Sequence, residues 1–260
     1  MSVFGRYSSY YDLLYKDKNY SGEAQFVREL LETFAPGAHH LLDLGCGSGG
    51  HAFELARQGF SLHCVDLSRD MLAEAKRQLA QQPADIQSRL RFSQGDIRQF
   101  ELGRQFDCAI SLFHVISYLP TLGDIRQTFQ RVHDHLRPGG VFLFDVWYAP
   151  AVLTERPEVR VKRMANAEIS VTRIAEPVWH PNECWVDVCY KVFIRDLKTD
   201  QIEELETEVH RMRYLSLPEI TLLAEMCKLE VVHTGEWMTQ NPPSEKTWGV
   251  CFVLKKAARS

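Results

Sequence analysis

Asp43-Leu44-Gly45-Cys46-Gly47-Ser48-Gly49-Gly50 sets a carboxylate at the entrance of a turn crowded with glycine. Glycine has no Cβ and adopts positive φ freely, so such a turn bends sharply and brings bare backbone against a ligand. A carboxylate beside it suits a ligand with a cationic or hydroxyl-rich end better than a triphosphate, whose charge it would repel. The apolar run Ser61–Val65 then ends at Asp66, where a second carboxylate can accept both hydroxyls of a ribose. Gln94-Gly95-Asp96-Ile97 places a third carboxylate and an apolar side chain where an adenine amino group and ring face would lie. The glycine turn alone also suits nicotinamide-dinucleotide proteins; the three carboxylates in this order carry more weight. His114, in Ser111-Leu112-Phe113-His114, is the histidine best placed to move a proton, and the phenols of Tyr11 and Tyr118 could orient an acceptor.

These residues need a scaffold that gathers loops at one edge, and the hydrophobic periodicity supplies it. Ala24–Phe34 has apolar residues at helical spacing. Strand-like and helical segments then alternate: strand His40–Leu44, helix 51–58, strand Ser61–Val65, helix 69–81, strand Leu90–Ser93, strand Asp107–Leu112, helix 122–136 and strand Val141–Val146. Such alternation implies parallel βαβ units and a doubly wound sheet. Arg137-Pro138-Gly139-Gly140 reads as a tight turn ahead of the last of these strands. After Trp147 the pattern changes. Glu168–Ile174, Trp185–Ile194 and Glu206–Tyr214 alternate apolar and polar residues, which predicts an antiparallel insertion. Helix 217–228 and strands Glu230–Trp237 and Trp248–Leu254 resume the first pattern.

Composition narrows the class. The 260 residues are 45% hydrophobic and 25% charged, the balance of a globular chain that buries its core without staples. A formal net charge of −4 supplies no global basic field for nucleic acid. The seven cysteines are scattered with no C-x-x-C pair, so reduced thiols are expected and no metal site. No apolar run approaches the roughly 18 residues that span a bilayer, and the aromatic, charged start lacks a signal-peptide pattern, so a cytoplasmic location without membrane contact is expected.

The ordered set Asp43–Gly49, Asp66, Gln94–Ile97 and Arg137–Gly140 resembles the class I S-adenosylmethionine-dependent methyltransferases over roughly residues 40–147. The resemblance implies a seven-stranded, mainly parallel, doubly wound sheet with S-adenosyl-L-methionine as cofactor. Gly45, Cys46 and Gly47 would underlie the methionine portion and Asp43 would face its ammonium. Asp66 would hold the ribose, Leu67 and Met71 would pack by the adenine, Asp96 and Ile97 would border it, and Phe113 would line the far side. A narrower similarity joins Tyr10–Leu14, Lys16–Tyr20, Glu23-Ala24, His51, Phe113–Tyr118 and Asp145–Tyr148 to bacterial nucleotide-linked deoxyamino-sugar N-methyltransferases. It implies that Tyr11 and Tyr20 close over the methionine end while Phe113, Tyr118 and Trp147 shape an acceptor pocket, with Tyr11 also contacting the acceptor. It also gives Lys246 a place near a substrate diphosphate. Tyr118 stands where that subgroup carries a histidine, and His114 precedes it by four residues, which leaves a hydroxyl acceptor open beside an amine.

The expected organisation is an N-terminal lid and helix over 1–39, a cofactor-binding core over 40–147 and 215–256, and an antiparallel lid or dimer region over 148–214. The expected activity is methyl transfer to a small molecule, the amine or hydroxyl of a nucleotide-linked sugar. Another small metabolite as acceptor, or a non-catalytic S-adenosylmethionine-binding protein, is the alternative. A homodimer through exposed edges of the inserted strands is also expected, since an edge seeks pairing or cover.

Overall fold

The computed structural model describes residues 18–205 and 207–258. The chain divides into two compact units, one holding Tyr20–Glu155 and the chain from Tyr214 onward, the other holding Arg156–Arg213.

The larger unit is a seven-stranded sheet. Strands β1 (His40–Leu44), β2 (Ser61–Asp66), β3 (Leu90–Gln94), β4 (Phe106–Ser111) and β5 (Leu136–Tyr148) run parallel in the order β3-β2-β1-β4-β5. Strands β11 (Leu229–Glu236) and β12 (Gly249–Lys256) extend it beyond β5, with β12 antiparallel to both neighbours. Consecutive side chains serve opposite faces. Leu41, Val141 and Leu143 pack under α1 (Tyr20–Phe34) and α2 (Gly50–Arg57). Leu42, Phe142 and Phe144 meet the other layer, where α5 (Leu122–His135) supplies Ile125, Phe129 and Val132. Both faces are covered, so these strands read as continuous apolar runs rather than alternating ones. The helices between are α3 (Arg69–Leu79), capped where the Ser68 hydroxyl accepts the Met71 N–H, and α4 (Ala84–Arg89). After β5 come the short α6 (Ala149–Thr154) and, following Tyr214-Leu215, α7 (Leu217–Met226).

Two local readings change. Arg137–Gly140 is not a turn outside the strand: it lies within β5 as a bulge, where Leu136 pairs Phe106 and the next pair is Val141 with Cys108. A Cβ on Gly140 would stand 2.7 Å from the Asp107 carbonyl oxygen, so glycine is required there by close backbone approach. Helix α4 escapes periodicity because its six residues make fewer than two turns.

In the smaller unit, β6 (Arg160–Ala165), β7 (Ile169–His180) and β8 (Trp185–Asp196) pair antiparallel in sequence order. Residues Glu208–Arg213 of β10 (Glu208–Leu215) and the three-residue β9 (Ile202–Glu204) also pair with β8. Pro177 sits in β7 opposite Val188, beyond the reach of β6, on a stretch whose other edge pairs with no strand among the described residues. Strand β6 shows no apolar alternation because it is almost wholly exposed; Arg160, Lys162 and Arg163 give it the charged character that opposes edge-to-edge pairing.

Candidate active site

In the parallel order β3-β2-β1-β4-β5 the winding direction reverses between β1 and β4, and ligands of doubly wound sheets bind outside the carboxyl ends of the strands at that switch point. Every core residue singled out for cofactor chemistry except Tyr20 lies in the last two residues of β1 or β2 or follows the carboxyl end of β1, β2, β3 or β4.

The turn after β1 is built by positive φ at Gly45, Gly47 and Gly49. A Cβ on Gly45 would lie 2.5 Å from Val115 Cγ1, in the 3-10 turn Val115–Tyr118 after β4, so the backbone passes directly beneath that turn. The Gly45 and Cys46 N–H groups donate to the Val65 carbonyl at 2.8 and 3.3 Å. Asp66 fastens the turn further: its two oxygens accept the Gly47 N–H at 2.7 Å and the Ser68 N–H at 2.8 Å. One acceptor direction on each oxygen stays available. Asp43, at the end of β1, is only 3% exposed, and its carboxylate has neither a hydrogen bond nor an ion pair among the described residues. Burial, reinforced by the nearby Asp66 charge, pushes its carboxyl from 3.8 up to about 7. A buried, partnerless carboxylate beside bare backbone is a seat for a cation.

The rim is more varied. Leu67 is 66% exposed directly after Asp66, Met71 is half-buried on α3, and Ile97 is partly buried against the core. Asp96, expected to border the adenine, is held by Arg98: its oxygens accept from the backbone N–H, Nε and Nη2 of Arg98, whose Nη1 reaches Asp124 at 2.9 Å. These bonds from Arg98 hold the Asp96 carboxyl below its ordinary range. The Tyr20 ring lies over Gly50, where a Cβ would come within 2.5 Å of it, and meets the His51 ring edge-to-face at 4.9 Å. His51 Nε2 in turn contacts Glu23 Oε2 at 2.5 Å, joining the start of α1 to the start of α2.

Beyond β4 the chain places two consecutive non-glycine residues, Phe113 and His114, at φ 67° and 62°. His114 donates its backbone N–H to Asp145 Oδ2 at 3.1 Å, and its Nδ1 lies 2.6 Å from that same oxygen. That ring contact is an ion-pair approach outside hydrogen-bond alignment. Asp145, on β5, is 1% exposed. The Ser117 hydroxyl accepts the Trp147 N–H at 3.0 Å, and the Trp147 ring meets Trp248 edge-to-face at 5.5 Å. The structure thus brings His114, Asp145, Trp147 and Trp248 together. Tyr118 is 47% exposed in the 3-10 turn. Lys246 sits in the exposed loop before β12, its backbone N–H on the Ser244 hydroxyl. Tyr11 lies outside the described residues. Sequence reasoning missed Asp145, Arg98 and Trp248 as parts of the site; the Asp-x-Arg spacing of 96 and 98 was a usable local signal, whereas nothing local joins 114 to 145.

A methyltransferase-domain family model matches residues 42–142. The chain is 32% identical over 256 residues to the putative methyltransferase YqeM of Bacillus subtilis, covering 98% of each chain. It is also 32% identical over 147 residues to dTDP-3-amino-3,4,6-trideoxy-alpha-D-glucopyranose N,N-dimethyltransferase of Streptomyces venezuelae, a match covering 56% of this chain and 59% of that one. Among solved structures, an S-adenosylmethionine-dependent methyltransferase from Clostridium acetobutylicum superposes with a TM-score of 0.81 at 22% identity, covering 99% of this chain and 100% of that one. Streptomyces venezuelae DesVI gives 0.80 at 23%, covering 97% and 98%. With its glycine turn and its carboxylates in this order, the chain belongs to the class I S-adenosylmethionine-dependent methyltransferases.

Proposed function

We propose that this enzyme transfers a methyl group to the amine or hydroxyl of a small, nucleotide-linked sugar. The observation that carries the transfer site is the buried, partnerless Asp43 carboxylate beside the positive-φ glycine turn. That pairing fits S-adenosylmethionine: Asp43 would hold its ammonium, and Gly45, Cys46 and Gly47 would underlie its methionine portion. Asp66 has acceptor directions left for the ribose hydroxyls. Exposed Leu67, with Met71, Ile97 and Phe113, offers apolar surface to the adenine end, and Tyr20 covers the start of α2. Asp96 borders the adenine through the loop that Arg98 holds rather than through a free carboxylate. The cofactor, when bound, supplies a methyl group already activated on a sulfonium. The protein's own work is then alignment and exclusion of water. His114, at the carboxyl edge of the same sheet, is the group to receive the acceptor's proton. Trp147, Tyr118 and Lys246 bound the acceptor side.

The sugar acceptor is supported by the stretch of 32% identity shared with three dTDP-amino-sugar N,N-dimethyltransferases. That stretch covers 54–58% of this chain and 54–59% of those enzymes. One observation favours another small metabolite: the relatives matching this chain end to end are putative methyltransferases whose names state no acceptor. Incubation with labelled S-adenosylmethionine and parallel panels of sugar nucleotides and unlinked metabolites separates the two. Label in a sugar nucleotide upholds the proposal, and label only in an unlinked metabolite overturns it.

A further inference from the structure

We infer that Asp145 is a positioning residue that holds His114 as a general base, and that the atom methylated is a hydroxyl oxygen. This rests on the small-molecule reading above and narrows its acceptor.

Left-handed backbone at two consecutive non-glycine residues is unfavourable and persists where surrounding structure enforces it, often at functional sites. Asp145 supplies that enforcement by accepting the His114 N–H. The same carboxylate oxygen approaches Nδ1 to 2.6 Å; the contact is not aligned as a hydrogen bond, but so close an anion disfavours a lone pair at Nδ1 and favours the proton there, with the Nε2 lone pair facing away. Nδ1 is buried, while the His114 side chain as a whole is 26% exposed. The buried ring atom therefore faces Asp145 and the accessible one is free to meet an acceptor.

Among the described residues, the groups packed around the pair leave Asp145 no other ionic partner. Cys251, its cross-strand neighbour on β12, is a buried thiol pushed up by burial and by Asp145 itself, so it stays uncharged. Phe113, Trp147 and Gly249 also border the ring without adding charge. Asp145 Oδ1 has no partner among the described residues. An imidazolium formed at His114 would thus be stabilised by a carboxylate lacking any other cation.

A neutral amine attacks through its own lone pair and can shed its proton afterwards to water. A sugar hydroxyl is a weak nucleophile until its proton is being withdrawn, so a held base matters most for oxygen. As the oxygen–carbon bond forms, the carbon–sulfur bond breaks and its electron pair returns to sulfur, leaving a neutral thioether. The hydroxyl proton passes to His114 Nε2 and is later released to solvent.

The tautomer of His114, read by nitrogen-15 NMR on the protein without substrates, tests the positioning directly. Wild type should show the Nδ1–H form and Asp145→Asn a shift toward Nε2–H. Asp145→Asn should also lower kcat roughly 100-fold, within the range general bases contribute. The KM for cofactor should stay unchanged, and the acidic limb of the pH–rate profile should move to lower pH. His114→Ala leaves the buried carboxylate untouched and should regain turnover with added imidazole. A wild-type Nε2–H tautomer, or an Asp145→Asn variant with unchanged tautomer and profile, overturns the positioning role. An N-methylated product overturns the hydroxyl assignment. If no sugar nucleotide is methylated, the sugar reading fails while the tautomer still decides the role of Asp145.

Discussion

Asp43→Asn separates the cost of a buried charge from its use. The Asp43 carboxyl is pushed from 3.8 to about 7, a rise of about three units. At 1.36 kcal/mol per unit that disfavours the ionised folded chain by about 4 kcal/mol. The sign follows from which state holds the proton. The folded chain keeps it to about pH 7, whereas the unfolded chain releases it near 4. Protonated Asp43 therefore favours folding most below pH about 4, and this contribution is lost as pH rises through about 7. Without cofactor, Asp43→Asn should be more stable than wild type at pH 8, by up to about 4 kcal/mol, and level with it near pH 4. Denaturant unfolding at both pH values reads the difference and cancels groups common to the two proteins. Binding should run the opposite way. If a cofactor ammonium needs the ionised carboxylate, affinity falls about tenfold per unit below the Asp43 pKa, and about 50-fold between pH 7 and pH 5. Calorimetry in buffers of different ionisation enthalpy should show proton release on binding below pH 7. A flat affinity over that range, or Asp43→Asn binding as tightly as wild type, would refute the cation-seat reasoning.

Gly45→Ala combines a φ of +77° with a Cβ 2.5 Å from Val115, so it should lose about 2 kcal/mol or more of folding stability by denaturant midpoint. Adding Val115→Ala should restore the steric part alone. Gly140→Ala, whose Cβ would meet the Asp107 carbonyl at 2.7 Å, should destabilise more than Gly139→Ala, which has open space but a φ of +79°; thermal unfolding of the pair ranks them. Arg98→Ala should cost about 1 kcal/mol, the scale of a partly exposed ion pair whose side chain is 39% exposed. Because Arg98 depresses the Asp96 carboxyl, that stability is present above pH about 4 and lost as pH falls through the lowered value. The variant's acid unfolding curve should therefore be shallower than wild type.

The parallel core was legible because its strands are buried on both faces and its helices present one apolar stripe each. Leu41–Leu44 and Val141–Val146 carry nothing but core and one carboxylate apiece, Asp43 and Asp145. What remained hidden was relational. The isolation of Asp43 consists of partners it lacks in space, and the pairing of His114 with Asp145 closes across two elements. The place of Asp96 beside an adenine could be expected from its position after β3, but not that Arg98, two residues on, fixes its carboxylate. Strand β6 failed for a different reason: exposed on both faces, it has no alternation to display.

The two backbone amides held by Asp66 bear on the speed and entropy of cofactor capture. Gly47 and Ser68 belong to loops leaving different strands, and one carboxylate ties both. Glycine-rich turns have the most conformational freedom to lose, and here much of that loss is incurred when the chain folds rather than when a ligand docks. A nucleoside arriving at the proposed ribose seat would meet acceptors already aimed, so binding should carry a smaller ordering penalty than a loose glycine loop would impose. Exchanging Asp66 for a residue unable to accept both amides would return that penalty to the binding step. Its mark would be a less favourable binding entropy and a slower association, beyond the loss of any hydroxyl contact.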